Sequence, residues 1–148
     1  MQPRLRVLVA EDETIIRLDL CALLAANGLE VCAEARDGEE VVILARTARP
    51  DVAILDIRMP KLDGLEAVRR IIDDRPIPIV MLTAFADEAT VSRAVDAGVY
   101  AYLTKPFREQ DVMPAIRTAL ARHAEHAASK PRVRIDVQLP PDRYRGAG

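Results

Sequence analysis

The sequence predicts an open, doubly wound α/β sheet of five parallel strands, and three observations carry that reading. Short apolar runs alternate with longer amphipathic stretches through five successive units between Leu5 and Ala128. The runs are almost continuously apolar, as expected of strands covered by helices on both faces. The connections are short, so right-handed crossovers leave an open doubly wound sheet as the simplest topology.

The elements follow in order. The first strand reads Leu5 to Ala10, and the first helix Glu13 to Asn27. In that helix Ile15, Ile16, Leu18, Cys21, Ala22, Leu24 and Ala25 form the expected apolar side, and Gly28 stands in the C-terminal stop position. A second strand covers Glu30 to Ala35. After the Asp37-Gly38 turn, Glu39 to Ala48 makes a helix with Val42, Ile43 and Ala45 in its apolar set. Pro50 precedes the third strand, Val52 to Asp56. A loop through Met59-Pro60-Lys61-Leu62-Asp63-Gly64 leads to a helix over Leu65 to Asp73. Pro76 and Pro78 bracket the entry to the fourth strand, Ile79 to Thr83; Asp87 to Ala97 is helical, with Gly98 as its stop. Val99 to Leu103 is the fifth strand. The last helix, Glu109 to Ala127, opens on Glu109 and Asp111, acids that suit its positive end.

Residues 1–128 thus form one domain and 129–148 a basic C-terminal tail. The chain has 148 residues and a net charge of −2. The tail holds Lys130, Arg132, Arg134, Arg143 and Arg145 against Asp136 and Asp142, a net of +3, which leaves −5 on the body. Twenty residues at that density are a weak argument for nucleic acid. Val133, Ile135, Val137 and Leu139 alternate with polar residues, so the tail reads either as disordered or as an added strand. With no Trp, two Phe and three Tyr, the core must come from Ala, Val, Ile and Leu. No apolar run approaches the roughly 18–20 residues that span a bilayer. No secretory signal opens the chain, and Cys21 and Cys32 form no CxxC pair, so a cytoplasmic protein is expected.

In a doubly wound sheet, ligands bind beyond the carboxyl ends of the strands. The polar residues there are few: Glu11-Asp12 after strand one, Asp56 at the end of strand three, Thr83 at the end of strand four and Lys105 after strand five. Clustered carboxylates raise each other's pKa unless a positive charge sits among them. A hard divalent cation such as Mg²⁺ meets that need with oxygen ligands, and the lack of His or Cys nearby argues against zinc. Metal, ammonium and hydroxyl together suit the oxygens of a phosphoryl group during transfer. No GxGxxG or GxxxxGK[ST] follows the first strand, so a covalently held phosphoryl group fits better than a bound nucleotide. One acid is then the nucleophile, and Asp56, ending the central strand, is the best placed.

These motifs resemble the receiver domain of bacterial two-component response regulators. The resemblance rests on Val9-Ala10-Glu11-Asp12-Glu13, Leu55-Asp56-Ile57-Arg58-Met59-Pro60 with Asp63-Gly64, Leu82-Thr83-Ala84 and Leu103-Thr104-Lys105-Pro106-Phe107, in order. It implies a flavodoxin-like (CheY-like) sheet with strand order 2-1-3-4-5. It also implies a phosphorylation-dependent switch, not an enzyme, that takes its phosphoryl group from a histidine kinase. Asp56 would be the phosphoacceptor. Asp12 would hold Mg²⁺ directly, Glu11 through water and Arg58 by its backbone carbonyl. Thr83 and Lys105 would contact the phosphoryl oxygens, with a cis peptide at Lys105-Pro106. Tyr102 would turn inward as Thr83 moves, reshaping the surface of the fourth helix, fifth strand and fifth helix to control an output or a homodimer. Slow self-dephosphorylation would involve Arg58 and Phe85.

The stretches Ala10 to Glu13, Ile15 to Leu20, Leu82 to Phe85, Ala101 to Leu103 and Pro114 to Ile116 resemble, more narrowly, receivers joined to an ANTAR output domain. That likeness implies an RNA-binding antiterminator as the alternative reading. The tail is too short for the three-helix ANTAR unit, so direct nucleic-acid binding by this chain is not expected. Turnover of a diffusible substrate is not expected either, because Arg58 stands where aspartyl-phosphate hydrolases carry a second carboxylate. His123 and His126 read as a solvated face, and the two cysteines as small apolar packing.

Overall fold

Alternate residues of the central strands face opposite ways, and that alternation builds two cores. The computed structural model describes residues 4–84 and 86–129. In order, it contains β1 (Arg6–Ala10), α1 (Thr14–Ala26), β2 (Glu30–Ala35), α2 (Gly38–Ala48), β3 (Val52–Asp56), α3 (Gly64–Asp74), β4 (Ile79–Thr83), α4 (Glu88–Ala97), β5 (Ala101–Thr104) and α5 (Glu109–Ser129). All four strand pairings are parallel and the order is β2-β1-β3-β4-β5. The fold is therefore the expected flavodoxin-like doubly wound sheet.

On one face Leu8, Ala10, Ala53, Leu55, Ile79 and Met81 pack with side chains from α2, α3 and α4. On the other, Val7, Val9, Val52, Ile54, Val80 and Leu82 pack with Leu20 and Leu24 of α1 and Val112, Ile116 and Ala119 of α5. This is the period-two side-chain direction of a strand buried on both sides. Each fully buried Leu, Ile or Val contributes about 2 kcal/mol of apolar burial, and aromatic rings are hardly used.

Helix ends are set locally. Asp37 caps α2 by accepting from Glu40 N at 2.8 Å, and Asp63 caps α3 by accepting from Leu65 N at 3.2 Å. Gly98 ends α4 at φ 110°, a left-handed value that favours glycine. Val99 N still donates to Ala94 O at 2.9 Å in that cap, so β5 begins at Ala101, two residues later than the sequence predicts, and extends to Thr104.

Two helix faces differ from expectation. On α1, Ile15 is 83% and Leu18 55% exposed, while Leu20 and Leu24 are buried together with Arg17. On α2, Ile43 is exposed and Val41 takes the buried position. Both helices are apolar on more than one side, so spacing alone does not choose the face. Arg17 turns inward because main-chain and carboxylate acceptors await it there.

Cys21 and Cys32 are half-buried, as small packing residues. Burial, and then the nearby Glu34 carboxylate, push the Cys21 thiol up to about 11. Its thiolate fraction at neutral pH is therefore about a hundredfold below that of an ordinary thiol. Iodoacetamide is expected to label Cys21 that much more slowly than free cysteine at pH 7–8, with the rate climbing as the pH rises toward 11. Labelling at the free-cysteine rate, followed by mass spectrometry of the Cys21 peptide, would contradict this.

Candidate functional site

The strands deliver the polar residues to one edge of the sheet. β1 ends at Ala10, and Glu11 N donates to Ala35 O of β2 at 3.0 Å, which carries the chain over the sheet end. Asp56 is the last residue of β3 and pairs in register with Leu82, one residue before Thr83 at the end of β4. Thr83 pairs with Thr104, and Lys105 N donates to Thr83 O at 2.8 Å. The Lys105-Pro106 peptide is cis, as the receiver likeness implies.

Lys105 is the centre of the charge arrangement. Its Nζ lies 2.9 Å from Asp56 Oδ2, 2.7 Å from Glu11 Oε1 and 3.7 Å from Glu13 Oε1. The other Asp56 oxygen, Oδ1, accepts from Arg58 N at 3.0 Å. Glu11 is fully buried, Asp56 is 2% and Thr83 1% exposed, while Asp12 is exposed. Burial pushes the Glu11 carboxyl up to about 7, against the lowering effect of Lys105 and of Glu13 N. For Lys105, burial alone would lower the ammonium's pKa, but pairing with Glu11 and Asp56 outweighs it and holds the group above its usual range.

One carboxylate oxygen from each of Glu11, Asp12 and Asp56 lies within 4.8 Å of the others. Of these three carboxylates, the buried Glu11 and Asp56 share the Lys105 ammonium at 2.7 and 2.9 Å. An all-oxygen donor set with surplus negative charge and an exposed member fits a hard divalent cation. Arg58 is exposed, and Tyr102 is 46% exposed on β5.

Phe85 and residues 130–148 lie outside the described residues, and with them the expectations placed on Phe85 and on the tail. Of the histidine pair, His126 is exposed as expected, while His123 departs from the solvated face. His123 is half-buried, and both imidazoles lie with ring centroids 6.0 Å from the Tyr100 ring, beside a cavity of about 420 Å³. Burial, and then His126, lower the His123 pKa.

Three residues around the site escape sequence reasoning. Arg17 donates to Glu11 O at 2.8 Å, and Glu13 N donates to Glu11 Oε2 at 2.9 Å. Gly64 lies directly against the backbone of Asp56 and Ile57. All three stand within stretches that carry the family resemblance, but their contacts with Glu11 and the Asp56 backbone were not legible there.

This fold and this carboxylate edge are those of a signalling receiver, and residues 7–117 match the family model of the response regulator receiver domain. The chain belongs to that family, the receiver domains of two-component systems. Among curated proteins it is 49% identical over 123 residues to the transcriptional regulatory protein PdtaR of Mycobacterium tuberculosis (strain H37Rv), a match covering 83% of this chain and 60% of that protein. It is 36% identical over 129 residues to the KDP operon transcriptional regulatory protein KdpE of Escherichia coli K12, covering 87% of this chain and 57% of that one. The chain thus spans about 60% of the length of these relatives.

Among solved structures, chemotaxis protein CheY4 of Vibrio cholerae superposes with a TM-score of 0.74 at 29% identity, over 80% of this chain and 100% of that one. A chain of the CheX-CheY-BeF3-Mg²⁺ complex of Borrelia burgdorferi gives 0.72 at 27% identity, over 75% and 85%. Among the described residues no helix is long and apolar enough to cross a membrane.

Proposed function

We propose that the chain is a phosphorylation-dependent switch in which Asp56 accepts a phosphoryl group from a histidine kinase. The observation that carries this reading is the buried Asp56 carboxylate, held by Arg58 N on one oxygen and by Lys105 Nζ on the other. Those contacts fix the carboxylate at the open edge of the sheet. In the transfer, an Asp56 oxygen bonds to phosphorus as the P–N bond of the kinase's phosphohistidine breaks, and the departing nitrogen keeps the electron pair. Lys105 stays within reach of the new phosphoryl oxygens, and Thr83, one strand over, supplies a hydroxyl donor.

Asp12, Glu11, Asp56 and the Arg58 carbonyl would hold Mg²⁺. When bound, that ion supplies positive charge for the phosphoryl oxygens and for the crowded carboxylates. The beryllofluoride and Mg²⁺ in the Borrelia complex support this chemistry for a structurally similar chain. Thr83 is buried and Tyr102 exposed, so movement of Thr83 toward the phosphoryl group would open space for Tyr102 to turn inward. The surface of α4, β5 and α5 would then change shape for a partner, a linked output or a second copy. The likeness to PdtaR, a transcriptional regulatory protein, makes control of gene expression the favoured output.

The test is incubation with acetyl phosphate and Mg²⁺. One phosphoryl group per chain should appear by intact-mass spectrometry, and EDTA should prevent it. A chain that gains none with Mg²⁺ present sinks the reading.

Kinase docking carries its own expectation. Ile15 and Leu18 are three residues apart, so they share one exposed face of α1 beside Asp12. Changing Ile15→Ser and Leu18→Ser together should slow transfer from the kinase by about tenfold or more, as loss of an apolar anchor does. The acetyl phosphate rate should be unchanged. Equal slowing of both donors would mean that the pair supports the fold instead.

A further inference from the structure

Glu11 is enclosed on every side. Its N–H donates to Ala35 O at 3.0 Å, its Oε2 accepts from Glu13 N at 2.9 Å, and its Oε1 pairs with Lys105 Nζ at 2.7 Å. Its carbonyl accepts from Arg17 Nη1 at 2.8 Å. Arg17 is only 7% exposed, in the company of Glu11, Asp56 and Thr83 as the buried polar residues of the described chain.

Burying a guanidinium is costly unless its donors are met. Arg17 reaches the Glu11 carbonyl on one side and Glu34 Oε1 on the other, at 3.1 Å. Glu34 lies on β2, beside Ala35, whose carbonyl receives Glu11 N. The guanidinium therefore ties the first turn of α1, the β1–α1 connection and the edge strand together at one point.

The Glu11 carbonyl belongs to the planar peptide that also carries the Asp12 N–H. Fixing that carbonyl fixes the plane from which the Asp12 backbone departs, which restricts where its side chain can go. We propose that Arg17 is a positioning residue: its hydrogen bond to the Glu11 carbonyl sets the spacing of the Glu11, Asp12 and Asp56 carboxylates and with it their affinity for a divalent cation. The inference rests on the Mg²⁺ reading above.

The sign of the effect separates this role from a simple field. A positive charge near a cation site weakens cation binding, so charge alone would make removal of Arg17 tighten Mg²⁺. A positioning role predicts the opposite. Outer groups that orient metal ligands typically change affinity by about 10- to 100-fold when removed.

The experiment is a Mg²⁺ titration of the full chain, followed by the backbone amide NMR shifts of Glu11, Asp12 and Glu13. Arg17→Met should weaken Mg²⁺ about tenfold. Arg17→Lys keeps the charge but cannot span Glu11 and Glu34 together, so it should weaken binding less than Arg17→Met yet measurably. Leu24→Ala, buried in α1 away from the site, is the control for lost stability and should leave the affinity unchanged. In acetyl phosphate assays, Arg17→Met should raise the Mg²⁺ concentration needed for half-maximal phosphorylation by a similar factor. Wild-type affinity or tighter in Arg17→Met overturns the inference, as does wild-type affinity in Arg17→Lys if the methionine variant fails to fold. Absence of Mg²⁺ shifts in the unmutated chain overturns the Mg²⁺ reading and this one together.

Discussion

Asp56→Asn is expected to leave no phosphoryl adduct with acetyl phosphate and Mg²⁺, while the chain remains folded. The amide is the same size as the carboxylate and keeps one oxygen that can accept from Arg58 N. It cannot attack phosphorus to give a stable acyl phosphate, because the carboxylate's second oxygen and its charge are gone. The structural cost comes from Lys105, whose ammonium now faces either an NH₂ group or the amide oxygen at the expense of the Arg58 contact. One lost or frustrated hydrogen bond costs about 1–3 kcal/mol. Against that, one of the crowded carboxylates has been neutralised, and its charge is among the causes that raise Glu11, although burial, the larger cause, remains. The two effects oppose, so thermal unfolding should shift by only a few degrees. Intact-mass spectrometry and a melting curve check both halves. A phosphoryl adduct on the variant would move the acceptor elsewhere.

The second large effect is expected at Gly64. A Cβ added there would overlap the Ile57 Cα and lie 2.7 Å from the carbonyl oxygens of Asp56 and Ile57. All three are backbone atoms, so no rotamer change relieves the contact; either β3 gives way at its end or α3 backs off. Gly64 N also donates to Ile57 O at 3.0 Å, which holds the first turn of α3 against the loop after Asp56. Overpacking of this kind typically costs about 1–3 kcal/mol. Gly64→Ala should lower the unfolding free energy by that amount, read as a fall in the denaturant midpoint. It should also slow phosphorylation beyond what the folded fraction explains, because Asp56 is displaced from Lys105. Wild-type stability together with a wild-type phosphorylation rate would show that the close approach is not needed.

The same residues show how far the sequence could be read. The strands were legible because β1, β3 and β4 are buried on both faces, leaving continuous apolar runs with no competing pattern. The corners of the site were legible because Glu11, Asp12, Asp56, Thr83 and Lys105 are the polar residues at strand ends. The sheet topology then brings them together whatever the helices do. What failed was the facing of helices that are apolar all round. In α1, Ile15 and Leu18 look as buriable as Ile16 and Leu20, and Arg17 looks outward-facing. Its inward turn depends on Glu11 O and Glu34, which come near only in three dimensions. Gly64 was visible as a turn residue, but its reason, the close approach of α3 to the Asp56 backbone, was not. The shifted start of β5 has a similar cause, since Val99 is held in the α4 cap before the strand can begin.

In the proposed switch the phosphoryl group is carried on Asp56 itself. Borohydride reduces an aspartyl phosphate to homoserine, so the phosphorylated chain can be reduced, digested and sequenced by mass spectrometry. Homoserine is expected at residue 56 and nowhere else. Homoserine at Asp12 or another carboxylate, or none in a chain that has gained a phosphoryl group, would contradict it.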